Sequence, residues 1–272
     1  MSLEPVWGAP PEHQAPVTSD TPPPVLRLRD GAYAVALYIG GQLVAAAVVA
    51  AIVVVFVFLR DGPAALGSQI RLMSASTSFI LFTIAASVGL VFLFARSLAR
   101  RAPTGWAVLG FVRPSVGWLI IAVAALIACN ALAYVFTLIA GPEVSERAEQ
   151  TMAFFANTDP MTILPMAALV CVIVPLTEEI VFRAILFPAF ATRLPRGLAG
   201  AASVAVFGLV HVQYLFSGAD VALLMMAQVA LLGGALTWLY AKSGSIWPSV
   251  TLHVLNNSWV MVVLLLWPDS SF

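Results

Sequence analysis

Residues 32 to 59 contain no charged side chain. A run of that length exceeds the roughly 20 apolar residues an α-helix needs to cross the hydrocarbon core of a bilayer. In hydrocarbon each backbone N–H and C=O must find its partner within the segment, so this stretch has one outcome open to it, a membrane-spanning helix. The cluster Arg60-Asp61-Gly62-Pro63 breaks it. Further apolar runs cover residues 74 to 95, 116 to 140, 161 to 190, 198 to 212, 221 to 241 and 246 to 267. The pattern predicts an all-α fold, a polytopic transmembrane helix bundle of about seven spans within a range of six to eight.

Composition agrees. The chain of 272 residues is 61% apolar and 10% charged, against about 25% charged in soluble domains. Thirteen basic residues balance thirteen acidic ones, and no basic cluster is interleaved with aromatics, so the sequence offers nucleic acid nothing to bind. Cys129 and Cys171 both lie in apolar runs and read as small buried hydrophobes, not as a CxxC pair.

Three regions follow. Residues 1–30 hold seven of the eighteen prolines, with Glu4, Glu12 and Asp20 and no long apolar run, and read as a disordered cytoplasmic tail. Its charge order is wrong for a signal peptide, so we expect it to stay on the protein. Residues 31–160 hold three spans and a surface segment: residues 143 to 159 carry four acids, one Arg and Phe154-Phe155, as a loop or a short helix on the membrane would. Residues 161–267 hold the remaining spans. Under this alternation Arg27, Arg29, Arg96, Arg100, Arg101, Arg113, Arg193, Arg196 and Lys242 share one side, and Arg60, Arg71 and Arg147 the other. Cytoplasmic loops are the basic ones, which predicts a multi-pass cell-membrane protein with its N-terminus in the cytoplasm.

The run from 161 to 190 differs from the others in carrying Glu178, Glu179 and Arg183. A charge at bilayer depth costs about 2.5 to 3.5 kcal/mol even on insertion scales, so it comes with a partner or a task. Glu179 and Arg183 stand four apart on one helical face and can form a structural ion pair. Glu178 points about 100° away and is free to face a cavity. Of three histidines His13 lies in the tail, while His211 and His253 fall inside spans. At about 1.5 Å per residue Glu178, His211 and His253 reach one depth, roughly 10 to 20 Å from the cytoplasmic face. Asn257 follows His253 by four residues and shares its face. A carboxylate and an imidazole can take a proton from water, and a second imidazole with an amide can steady an oxyanion. Glu178, His211 and His253 are equally a ligand set for zinc, so the cofactor is either none or Zn2+. Taken alone, the same residues also suit a transporter or channel that binds a cation or passes protons. Asn130 reads as an interhelical hydrogen bond, Gln228 as the same or as a cavity residue, Gly233-Gly234 as a site of close helix approach, and Trp106, Trp247 and Trp267 as interface anchors.

Three blocks stand in order: Glu178-Glu179-Ile180-Val181-Phe182-Arg183, Phe207-Gly208-Leu209-Val210-His211, and His253-Val254-Leu255-Asn256-Asn257. They resemble the EExxxR, FxxxH and HxxxN motifs of the CPBP family, the CAAX-processing and bacteriocin-processing intramembrane proteases. The resemblance covers roughly residues 160 to 262. It implies an intramembrane endopeptidase that cuts a membrane-associated peptide or protein near the cytoplasmic side of the bilayer. By this resemblance Glu178 and His211 activate the attacking water, His253 and Asn257 hold the oxyanion, and Glu179 and Arg183 support them. The family is commonly called a metalloprotease, while its prenyl-protein members suggest a glutamate mechanism without metal; a catalytically silent scaffold of the same fold is the remaining alternative.

Overall fold

The computed structural model describes residues 26–74, 76–152 and 160–266. The tail up to residue 25, with His13, lies outside them, as do Phe154-Phe155 and Trp267. Among the described residues there is no β-strand, and the chain is a helical membrane bundle. The helices are α1 (Leu28–Asp61), α2 (Leu66–Ser74), α3 (Thr77–Arg101), α4 (Val116–Ala140), α5 (Pro142–Met152), α6 (Pro160–Ala168), α7 (Val174–Glu178), α8 (Phe187–Ala191), α9 (Arg196–Leu209), α10 (Ala219–Ser243) and α11 (Ile246–Leu266). By length and composition α1, α3, α4 and α10 can each cross a membrane.

Local chemistry sets the ends. The Asp30 carboxylate accepts from the Arg27 N–H at 2.7 Å and starts α1, and Ser76 Oγ accepts from the Phe79 N–H at 3.3 Å to start α3. α4 occupies the bounds its apolar run predicts and stops at Gly141, whose φ of 88° ends the helix. The acidic segment after it forms the short surface helix α5. Helix α2 is an addition: its mixed polar and apolar residues gave no span signal.

With lipid tails as apolar as the side chains, helices associate by close packing, which small residues permit. α1 buries Gly31, Ala34, Tyr38, Gly41 and Ala45 along one face. A Cβ on Gly41 would stand 3.0 Å from the Ser87 Cα of α3, and one on Gly31 would stand 2.9 Å from Leu186 Cδ1. α1 is therefore clamped between α3 and the helix that carries the two glutamates.

That helix is a composite. α6, α7 and α8 run on continuously through two π-helical segments, Leu169–Ile173 and Glu179–Leu186. Each π turn frees carbonyls that must find donors elsewhere. Asn257 Nδ2 donates to the Val170 carbonyl at 3.0 Å, and Ser203 Oγ to the Phe182 carbonyl at 2.8 Å. Glu178 sits at the last position of the single α-helical turn between the two segments.

α9 has 14 residues, about 21 Å at 1.5 Å per residue, shorter than the hydrocarbon core. It ends at Leu209, and His211 lies in the turn beyond it with φ −97° and ψ 24°. The expectation that His211 lies within a spanning helix is corrected here: Val210 closes the helix, and the chain turns into a short 3₁₀ segment, Val212–Ser217.

Candidate active site

Glu178 is buried, 5% exposed, between α1 and α11. The Tyr38 hydroxyl donates to its Oε1 at 2.6 Å, and His253 Nε2 stands 3.5 Å from its Oε2. The Tyr38 ring is held edge-on against Phe182 at 6.0 Å. Tyr38 is a site residue that reading the sequence missed. Its signal was the 3-4-3-4 spacing of Gly31, Ala34, Tyr38, Gly41 and Ala45, a seam of small residues interrupted by one hydroxylated ring.

Glu179 and Arg183 are fully buried. Glu179 Oε1 accepts from Arg183 Nη1 at 3.0 Å and from His253 Nδ1 at 2.8 Å. Arg183 Nη2 donates to the Gly233 carbonyl at 3.3 Å, and its guanidinium lies 4.4 Å from the centre of the Phe207 ring, a cation–π contact. A Cβ on Gly233 would meet Phe207 Cδ1 at 3.1 Å, whereas one on Gly234 would meet nothing within 4 Å. Of the two adjacent glycines, only Gly233 is needed for close approach. Glu179 therefore does more than pair with Arg183: it also orients the His253 ring.

His211 Nδ1 donates to the Phe207 carbonyl at 2.8 Å. A carbonyl only accepts, so the hydrogen is on Nδ1 and Nε2 carries the lone pair when the ring is neutral. The ring lies edge-to-face against Phe207 at 4.8 Å and stacks on Tyr214 at 6.1 Å. Phe207 thus touches Arg183, His211 and His253, with the last ring 6.1 Å away.

Glu178, His211, His253 and Asn257 all line one cavity of about 710 Å³, as does Asn256. Asn257 spends one amide hydrogen on Val170 and keeps the other. Gln228 reaches from α10 to Thr137 Oγ1 of α4 at 3.3 Å and lines the same cavity. Asn130 also lines it, but its Nδ2 donates to the Leu126 carbonyl of its own helix at 2.9 Å, not across helices as expected.

Glu178, His211 and His253 do not fit zinc in this arrangement. Among the described residues no three His, Cys, Asp or Glu side chains form a group that could hold a metal ion. His253 Nδ1 is taken up by Glu179 at 2.8 Å, and its Nε2 lies 3.5 Å from Glu178 Oε2.

A model of the family "Type II CAAX prenyl endopeptidase Rce1-like" matches residues 160–259. The chain is 30% identical over 123 residues to "Putative membrane peptidase YdiL" of Bacillus subtilis, a match covering 45% of this chain and 46% of that protein. The chain thus spans about half the length of the curated relative it matches. No solved structure matches it. The three polar blocks all lie inside the matched region, so over residues 160–259 the chain is similar to the Rce1-like type II CAAX prenyl endopeptidases.

Proposed function

We propose that the protein is an intramembrane endopeptidase that hydrolyses a peptide bond of a membrane-associated polypeptide with water activated by Glu178 and His211. The observation that carries this reading is the convergence of Glu178, His211, His253 and Asn257 on one largely apolar cavity, with Glu178 held by Tyr38 at 2.6 Å. The His211 lone pair on Nε2 and the free face of Glu178 are the two proton acceptors. One of them takes the proton as water attacks the scissile carbonyl, a step worth about 10² to 10⁴ in rate. In the proposed step His253 donates through Nδ1 to Glu179 and carries a hydrogen on Nε2, which faces Glu178 and the cavity. His253 Nε2–H can turn from Glu178 to the developing oxyanion, with the spare Asn257 amide hydrogen as second donor. Donors already in place when charge develops lower the barrier without reorganisation. The collapse of the tetrahedral species returns the proton to the leaving amine. No covalent intermediate is invoked, because no Ser or Cys stands in the three motif blocks.

The test is cleavage of membrane-tethered peptides by the purified protein in lipid, with and without a chelator, beside Glu178→Gln. We expect cutting that survives chelation and is absent from a folded variant. Cutting by Glu178→Gln at the wild-type rate contradicts the assignment, and chelator-sensitive cutting contradicts the metal-free step. Ion flux through liposomes without any cleavage favours the transporter reading.

A further inference from the structure

Hydrolysis of a peptide bond needs its carbonyl free of the hydrogen bond that a helix gives it, so the segment to be cut lies extended across the reacting groups. In a largely apolar cavity each backbone N–H released in this way has little water to turn to and must find a protein acceptor. Ile80, Ile84, Met166, Val229 and Leu232 line the cavity and offer none. Glu178, His211, His253 and Asn257 are engaged by the scissile bond and its water. Two further amides on the cavity wall have the chemistry for the task, Asn130 of α4 and Gln228 of α10.

Gln228 is anchored. Its Nε2 spends both hydrogens on α4, one on the Ala133 carbonyl at 3.4 Å and one on Thr137 Oγ1 at 3.3 Å. The Ala133 carbonyl only accepts, so the amide nitrogen faces α4 and Oε1 is turned away from that anchor. Thr137 Oγ1 donates its own hydrogen to the same carbonyl at 3.0 Å, which leaves its lone pairs to Gln228. Asn130 is fixed in the same sense, with Nδ2 on the Leu126 carbonyl at 2.9 Å. Among the described residues neither Gln228 Oε1 nor Asn130 Oδ1 has a hydrogen-bond partner. Neither is sealed in the packing, where the unpaired side-chain polar atoms are Glu179 Oε2 and Arg183 Nε. Two carbonyl oxygens, each steadied through its own amide nitrogen, therefore stay open on the cavity wall.

Their spacing suits a strand. Asn130 precedes Ala133 and Thr137, the anchors of Gln228, by three and seven residues, about 5 to 10 Å along α4. In an extended chain the N–H groups on one edge recur at every second residue, about 6.8 Å apart. Gln228 also stands five residues before Gly233, whose carbonyl receives Arg183 Nη2. That is about 7.5 Å along α10, or about two extended residues from the turn that carries Glu179 and Arg183.

We infer that, on the peptidase reading, Gln228 Oε1 and Asn130 Oδ1 form a binding subsite that accepts two alternate backbone N–H groups of a substrate held as an extended strand along α4. Such a subsite reads backbone and not side chains, so it sets the register of the cut while tolerating varied sequence.

The test is a cycle of paired changes in protein and substrate, read in lipid. A membrane-tethered peptide that the wild type cuts is remade with single amides replaced by esters, which exchange one N–H for oxygen, at each position flanking the scissile bond. In the wild type two esters, at alternate residues, should each lower kcat/KM about tenfold. Gln228→Leu should lower cleavage of the all-amide peptide about tenfold, and one of those two esters should then cost nothing further. Asn130→Ala should do the same for the other ester. A purely structural part for the two amides predicts instead that the losses from ester and substitution multiply. That result, or a wild type indifferent to every ester, overturns the inference and leaves the peptidase reading standing. If Gln228→Leu does not fold, the cycle on Asn130→Ala, whose bond lies within its own helix, decides alone. Failure of the wild type to cut any membrane-tethered peptide overturns the peptidase reading and the subsite with it.

Discussion

Glu178 and Glu179 are neighbours in the chain and live in different surroundings. Glu179 belongs to a dry frame, where it, Arg183, the Gly233 carbonyl and the Phe207 ring leave no exposed surface. Glu178 belongs to the cavity, which it shares with His211, His253 and Asn257. His253 bridges the two, with Nδ1 on the frame and Nε2 on the cavity side. The difference separates two demands that one membrane site must meet. Charges kept out of water must be mutually satisfied to be tolerated, whereas groups that act on water must keep some of their bonding capacity unspent. The sharp division predicts that frame substitutions act on folding and cavity substitutions act on rate.

The largest effect should come from Arg183→Leu, which strands the buried Glu179 carboxylate. Breaking a buried pair in this way costs about 3 to 5 kcal/mol, so thermal unfolding in detergent should show a large loss of Tm or no folded protein. A folded Arg183→Leu chain with wild-type Tm would dissolve the frame. Next comes His211→Ala, with cleavage expected to fall about 10² to 10⁴-fold and the Tm close to wild type. Asn257→Ala should be milder in rate, about a hundredfold in kcat, the order of losing one oxyanion donor. It should also cost some stability, since the Val170 carbonyl of the π-helical segment loses its donor. The smallest effect should come from Tyr38→Phe, which removes the hydrogen bond to Glu178 but keeps the ring against Phe182. A bond to a charged group is worth about 1.5 to 3 kcal/mol; we expect a fall of about tenfold in kcat with KM unchanged. If Tyr38→Phe lowered Tm as far as Arg183→Leu and left kcat alone, Tyr38 would belong to the frame.

Much of this was legible in the sequence because the bilayer enforces simple rules. The run from 116 to 140 kept its bounds as α4, since Pro114 precedes it and Gly141-Pro142 follows it. The run from 161 to 190 became the continuous helix from Pro160 to Ala191. Glu179 and Arg183 pair at four-residue spacing as a helical face demands, even though the turn they share is π-helical. What stayed hidden depended on partners distant in sequence. Nothing local in Leu169–Ile173 marks a π turn; it is completed by Asn257, 87 residues on from Val170. Tyr38 reaches Glu178 across 140 residues, from a region with no motif of its own. His211 fell outside its helix because the apolar pattern runs on through Val210 and Val212 while the backbone turns at Val210.

The most direct test of the division sets Glu178→Gln beside Glu179→Gln in the same lipid, measuring the single-turnover rate on one membrane-tethered peptide and the unfolding temperature of each. Both changes remove one charge and keep the side chain's shape. The expected result is a Glu178→Gln protein that unfolds with the wild type and does not cut, and a Glu179→Gln protein that unfolds well below it. Equal losses of rate and stability in the two variants would contradict the account, because adjacent carboxylates that behave alike do not belong to a cavity and a frame.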